Sequence, residues 1–137
     1  MPNLLYNKVR ESLLDNDTGI LYIATDGGGL AVIDTKNTAK TSDDELIGNY
    51  NKTSQLPIPS DRIYHIAKDK NGLLYLSTWG GGAVVINTQN TPNIKDDTIY
   101  EIFNTLSPVK IASDRIYKTY LDETTGYLFI ATNLKGV

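Results

Sequence analysis

The 137 residues hold 13 Lys and Arg against 16 Asp and Glu, for a net charge of −3 and a pI near 5.0. That balance argues against a nucleic-acid partner, which needs a clustered basic face, while 40% hydrophobic and 21% charged residues suit a single packed domain. The absence of cysteine excludes a disulfide frame, a thiolate nucleophile and a cysteine-based zinc site, and no run approaches the roughly 18 apolar residues of a membrane span.

In chain order, the start Met1-Pro2-Asn3-Leu4-Leu5-Tyr6-Asn7-Lys8 has neither the basic residues nor the apolar stretch of a signal peptide, as expected of a cytoplasmic chain or an internal segment. Strands are predicted over 9–14, 21–25, 30–34 and 46–50. The same pattern then returns over 63–67, 73–78, 83–87 and 98–103. A third set begins at 116–121 and 128–132. The turns between them are written in Asn, Asp and Gly, as in Asp69-Lys70-Asn71-Gly72. The run 73–78 is nearly all apolar, as expected of a strand covered on both faces. Pro57, Pro59 and Pro108 fall between units, where they break no ladder. No stretch keeps a 3.6-residue period, so no helix is expected.

The units are copies of one another. Ser60-Asp61-Arg62-Ile63-Tyr64 returns 53 positions later as Ser113-Asp114-Arg115-Ile116-Tyr117. Gly72-Leu73-Leu74-Tyr75-Leu76-Ser77-Thr78-Trp79-Gly80-Gly81-Gly82 repeats Gly19-Ile20-Leu21-Tyr22-Ile23-Ala24-Thr25-Asp26-Gly27-Gly28-Gly29, again 53 positions apart. A third version, Gly126-Tyr127-Leu128-Phe129-Ile130-Ala131-Thr132, lies 54 further on, because the turn 69–72 is one residue shorter than 122–126. Four antiparallel strands per unit of about 50 residues describe a β-propeller blade. The expected fold is therefore all-β, with about two and a half blades: one over about 7–54, a second over about 60–107 and a half blade over about 113–137. A ring of about 4–8 blades is not closed by this many. Exposed blade faces and an open strand edge are expected, together with further blades from a longer parent chain or a homo-oligomer that closes the ring.

The pattern Ser-Asp-Arg-Ile-Tyr, Asp, Gly-Leu-Leu-Tyr-Leu-Ser-Thr, Gly-Gly resembles the two-component regulator propeller repeat, which builds sensor domains of bacterial hybrid histidine kinases. The resemblance extends over nearly the whole chain. It implies a periplasmic or extracellular ligand detector. This chain departs from it at Tyr22, Tyr75 and Phe129, where the family commonly has Trp, and at Asn133-Leu134-Lys135-Gly136, which replaces the glycine triplet.

Blade topology places the link before each first strand at the same end as the turn between second and third strands. Asp26, Asp61, Arg62, Trp79, Asp114 and Arg115 therefore share one rim, which with His65 makes the candidate ligand-binding set. Residues repeated from blade to blade, Asp61 with Asp114 and Arg62 with Arg115, read first as loop-fixing or blade-to-blade contacts. Those that differ are the specificity candidates: Trp79 stands where Asp26 and Asn133 do, and His65 where Glu11 and Lys118 do. Trp79 reads equally as a stacking platform for a sugar or peptide and as an anchor between blades. His65 is the only histidine, and nothing in the sequence supplies the orienting carboxylate and nucleophile that would make it a base. The glycine triplets read as tight turns, since no helix start or Lys-Ser/Thr follows to make a phosphate loop. Asp15-Asn16-Asp17-Thr18-Gly19 reads as a hairpin turn, because Ile20 and Asp26 stand where a calcium loop needs Gly and Glu. No catalytic residue, metal or cofactor is expected. The sequence thus points to a non-catalytic propeller segment that senses a small-molecule or carbohydrate ligand, or docks a partner. Two alternatives stay open: part of a propeller enzyme similar to the streptogramin lyases, and a purely structural, self-assembling propeller fragment.

Overall fold

The computed structural model describes residues 3–133. The ten strands are β1 (Val9–Asp15), β2 (Ile20–Thr25), β3 (Leu30–Asp34), β4 (Glu45–Tyr50), β5 (Ile63–Lys68), β6 (Leu73–Thr78), β7 (Ala83–Asn87), β8 (Thr98–Phe103), β9 (Ile116–Asp122) and β10 (Tyr127–Thr132). They form two antiparallel sheets of four strands, β1-β2-β3-β4 and β5-β6-β7-β8, and one of two, β9-β10. Each sheet is a meander, so residues 3–133 are all-β and form two propeller blades and the inner half of a third. Each predicted strand is present to within a residue at either end. The one departure is a single turn of 3₁₀ helix at Ile94–Asp96, capped by the Asn93 side chain on the Lys95 amide at 3.2 Å. A three-residue turn is too short to leave a helical period in the sequence.

The one-residue difference in repeat length lies where expected. In the first and third hairpins the Gly19 and Gly126 amides reach back to the Asp15 and Asp122 carbonyls at 2.8 and 2.7 Å. In the second, the Gly72 amide reaches Asp69, one residue closer in sequence. Asp15 is a turn former here: its carboxylate accepts from the Asp17 amide and the Thr18 hydroxyl, and pairs with Lys68 of the second blade at 3.0 Å. Burial opposes ionisation, yet Thr18 and Lys68 hold Asp15 below the ordinary carboxylate range.

The main core lies between the first and second blades. Tyr22, Val32, Tyr50 and Ile58 from one side meet Ile63, Leu74, Leu76, Val84 and Ile86 from the other. Aliphatic residues alternate along each strand, so one face of the second blade closes over one face of the first. A smaller cluster, Ala83, Ile116 and Ile130 with Phe103, Ile111 and Leu128, joins the second and third. Beyond it the half blade presents Tyr120, Tyr127 and Phe129 to solvent. Of the three rings that stand where the family has Trp, Tyr22 and Tyr75 are buried and Phe129 is not.

On the outer side of the first seam, the buried Tyr50 hydroxyl donates a short hydrogen bond to Asp97. Burial pushes the Asp97 carboxyl up to about 6, with Tyr50 opposing and the neighbouring Asp96 adding to the rise.

Candidate functional site

The glycine turns explain how one blade grips the next. The Gly27 and Gly29 amides both donate to the Asp61 carbonyl, at 3.0 and 2.7 Å. The Gly80 and Gly82 amides repeat this on the Asp114 carbonyl, both at 2.9 Å. A concavity of amides that elsewhere suits an anion is thus filled by a carbonyl oxygen of the following blade. Thr25 and Thr78 complete the turn, each donating its hydroxyl to the third glycine's carbonyl and accepting from the second glycine's amide. Only glycine fits the third position: a Cβ at Gly82 would lie 2.2 Å from the Phe103 carbonyl oxygen, at a φ of +81°.

The side chains of Asp61 and Asp114 face the preceding loop. Asp61 accepts from the Lys52 amide at 2.7 Å, and Asp114 from the Thr105 amide and hydroxyl at 2.7 and 3.1 Å. Isolated backbone bridges pair Asp26 with Arg62 and Trp79 with Arg115. The bonds Asp26 to Lys8, Trp79 to Arg62 and Asn133 to Arg115, all amide to carbonyl at 2.8–2.9 Å, show that Tyr6-Asn7-Lys8-Val9-Arg10 is a diverged copy of the Ser-Asp-Arg-Ile-Tyr segment. Sequence reading missed this copy because only Lys8 and Val9 keep the residue character, and it lacks the repeat's acid. Position 134–136, where the third glycine triplet is replaced, lies outside the described residues.

Six of the seven candidate residues meet at this rim, and the structure adds Lys8, Arg10, Tyr64 and Tyr117. Asp26 is 4% exposed and accepts from Arg10 and from Arg62 Nε, both at 2.6 Å, with Lys8 Nζ at 3.0 Å. The hydrogen bond from Arg62, aided by those from Arg10 and Lys8, outweighs burial and holds the carboxyl far below its ordinary range. Asp26 in turn raises both guanidiniums. The Arg10 guanidinium lies 4.3 Å over the Tyr64 ring, Tyr64 stacks on Trp79 at 4.9 Å and 14°, and Trp79 meets Tyr117 at 5.2 Å. Arg115 lies 5.6 Å from the Trp79 ring. Trp79 is thus wedged between two tyrosines, and the guanidinium edges form the outward surface.

His65 stands apart, on the innermost strand. Glu11, His65 and Lys118 occupy the same strand position in three successive blades, facing Ala24, Ser77 and Ala131. His65 Nε2 is 3.6 Å from Glu11 Oε2, while its Nδ1 is buried without a hydrogen-bond partner. Burial lowers its pKa; Glu11 opposes this and Lys118 adds to it. The Ser77 hydroxyl opposite is fully buried and makes no hydrogen bond to it. Among the described residues no group of three or more His, Asp or Glu is arranged to hold a metal ion.

The rim, the glycine clasp and the blade meander together define the repeat. Residues 57–80 match the two component regulator propeller family. The two component regulator propeller match spans the Ser-Asp-Arg link, β5, β6 and Trp79, so it includes residues that serve the seam on either side. No curated protein matches the chain.

Proposed function

We propose that the chain is a non-catalytic, ligand-sensing or partner-binding segment of a propeller, similar in task to the input domain of a two-component regulator, and that the rim recognises an anionic group. The observation that carries this reading is the charge at the rim. Lys8, Arg10 and Arg62 converge on one carboxylate, with Arg115 a blade further on, in a chain whose net charge is −3. Asp26 holds its guanidiniums in fixed directions, and a pre-set fork suits a carboxylate or sulfate better than a flexible ammonium does. Trp79 and its two tyrosines supply apolar edges for the body of a ligand such as an acidic sugar.

The test is calorimetric titration of the 137-residue chain with tri-galacturonate and with maltotriose. Binding of the acidic sugar alone is expected. The Arg62→Gln and Arg115→Gln variants should each weaken it about tenfold, and added salt should weaken it further. Equal binding of both sugars, or binding of neither, overturns the reading.

A further inference from the structure

Among the described residues, four buried side-chain polar atoms make no hydrogen bond to the protein, and three of them, His65 Nδ1, Ser77 Oγ and Thr119 Oγ1, meet at the second seam. The strand registers place them on its two facing surfaces. Ser77 of β6 stands opposite His65 on one side and Ala83 on the other, and Ala83 packs against Ile116 and Ile130 of the third blade. Thr119 of β9 stands opposite that same Ile130. Directly opposed residues share a face of a sheet, so both hydroxyls lie in the joint between the second and third blades. Ser77 is 0% exposed and Thr119 2%. A cleft of about 380 Å³, lined by His65, Thr119 and Tyr75 among others, opens at the edge of this place.

The first seam fills the equivalent positions differently. Ala24 stands where Ser77 does and Ile66 where Thr119 does, and both belong to the apolar core. Glu11, in the place of His65, accepts from the Ile66 amide at 2.7 Å, a bond that crosses the seam directly. The second seam thus exchanges two apolar side chains for hydroxyls and a carboxylate for an imidazole, all at one spot. Polar groups buried without a protein partner are costly, and native proteins satisfy them with ordered water. We propose that this spot is a binding site for one water molecule, which bridges His65 Nδ1, Ser77 Oγ and Thr119 Oγ1. Two hydroxyls and a neutral imidazole nitrogen can each donate or accept, which suits a buried water and its usual set of about three hydrogen bonds better than an ion. With His65 Nε2 facing Glu11 Oε2 at 3.6 Å, the water completes a polar line from the first blade through the second to the third.

The test is a crystal structure of the unaltered chain at a resolution that shows ordered solvent. A single density peak is expected within hydrogen-bond distance of all three atoms. The Ser77→Ala, Thr119→Ile double variant, which copies the residues of the first seam, should lose that peak. Oxygen-17 relaxation dispersion in solution should then count one long-lived water fewer per chain in the variant than in the unaltered protein. An empty site, or a direct hydrogen bond among His65, Ser77 and Thr119, overturns the proposal. So does a peak too heavy for water, which makes the occupant an ion, or an equal count of long-lived waters in the two proteins.

Discussion

The seam between the first and second blades and the seam between the second and third share one backbone scheme and differ in their side chains. In both, two glycine amides clasp the carbonyl of an Asp, and the residue before the triplet bridges to an Arg. In the first seam that residue is Asp26, and three cations converge on it; in the second it is Trp79, and aromatic rings do. The first seam also has the Lys68–Asp15 pair and the Tyr50–Asp97 hydrogen bond, and a core built from both whole blades. The second joins a whole blade to half of one and buries less. Repetition thus fixes the main-chain joint, and the free positions within it decide whether the joint is ionic or aromatic.

A large effect is expected from removing the acid of the ionic joint. Asp26→Ala leaves Lys8, Arg10 and Arg62 crowded without their counter-charge and should lower stability by about 2 kcal/mol, less than a wholly buried pair because the cations reach water. Urea unfolding measures it; a loss under about 0.5 kcal/mol would make the joint ornamental to stability. Trp79→Ala is the matching change in the second seam. It should lower stability by about 1–2 kcal/mol and release the half blade first, seen as faster hydrogen exchange in β9 and β10 than in β2 and β3. Uniform acceleration across all three sheets would show that the seams do not open separately.

The seams should also part in their response to pH. Asp97 has a folded pKa of about 6, above the ordinary value of 3.8, so the folded state binds its proton more tightly than the unfolded state. Its contribution is full below about pH 3.8 and is lost as pH rises through about 6, of order 1–3 kcal/mol in all. Asp26 acts with the opposite sign: its lowered pKa gives stability above pH 3.8 that is lost as pH falls further. Melting temperatures across pH 4–7 should decline in the unaltered chain and flatten in Asp97→Asn; a parallel decline in that variant would assign the titration elsewhere. The smallest effect is expected for Tyr64→Phe. The hydroxyl accepts from Arg10 and Arg62 at 3.3 and 3.2 Å in exposed positions, and its loss should lower stability by about 0.5 kcal/mol while the ring stack persists. Near-ultraviolet circular dichroism distinguishes a kept stack from a lost one.

Much of the rim was legible because repetition marks it. Arg62 and Arg115, the glycine triplets and the substitution of Trp79 for Asp26 all stand at matching positions, and blade topology brings those positions to one end. Lys8 and Arg10 were not legible: the first copy of the motif has diverged, and their role depends on distance from Asp26, 16 or more positions away. His65, a candidate because it differs between repeats, lies one strand position beyond Tyr64, in the row with Glu11 and Lys118.

The sequence by itself determined the strands, the blade meander and the two and a half blades of residues 3–133, because alternating apolar residues, glycine turns and a 53-residue repeat are local or periodic signals. Only the tertiary structure decided that the glycine concavities hold a carbonyl, that Asp26 gathers three cations, that Trp79 is wedged between tyrosines and that Asp97 is a buried acid. Those properties depend on what the next blade places a few ångströms away, and the energies of charge, burial and hydrogen bonding change with such distances in ways that spacing along one chain does not encode.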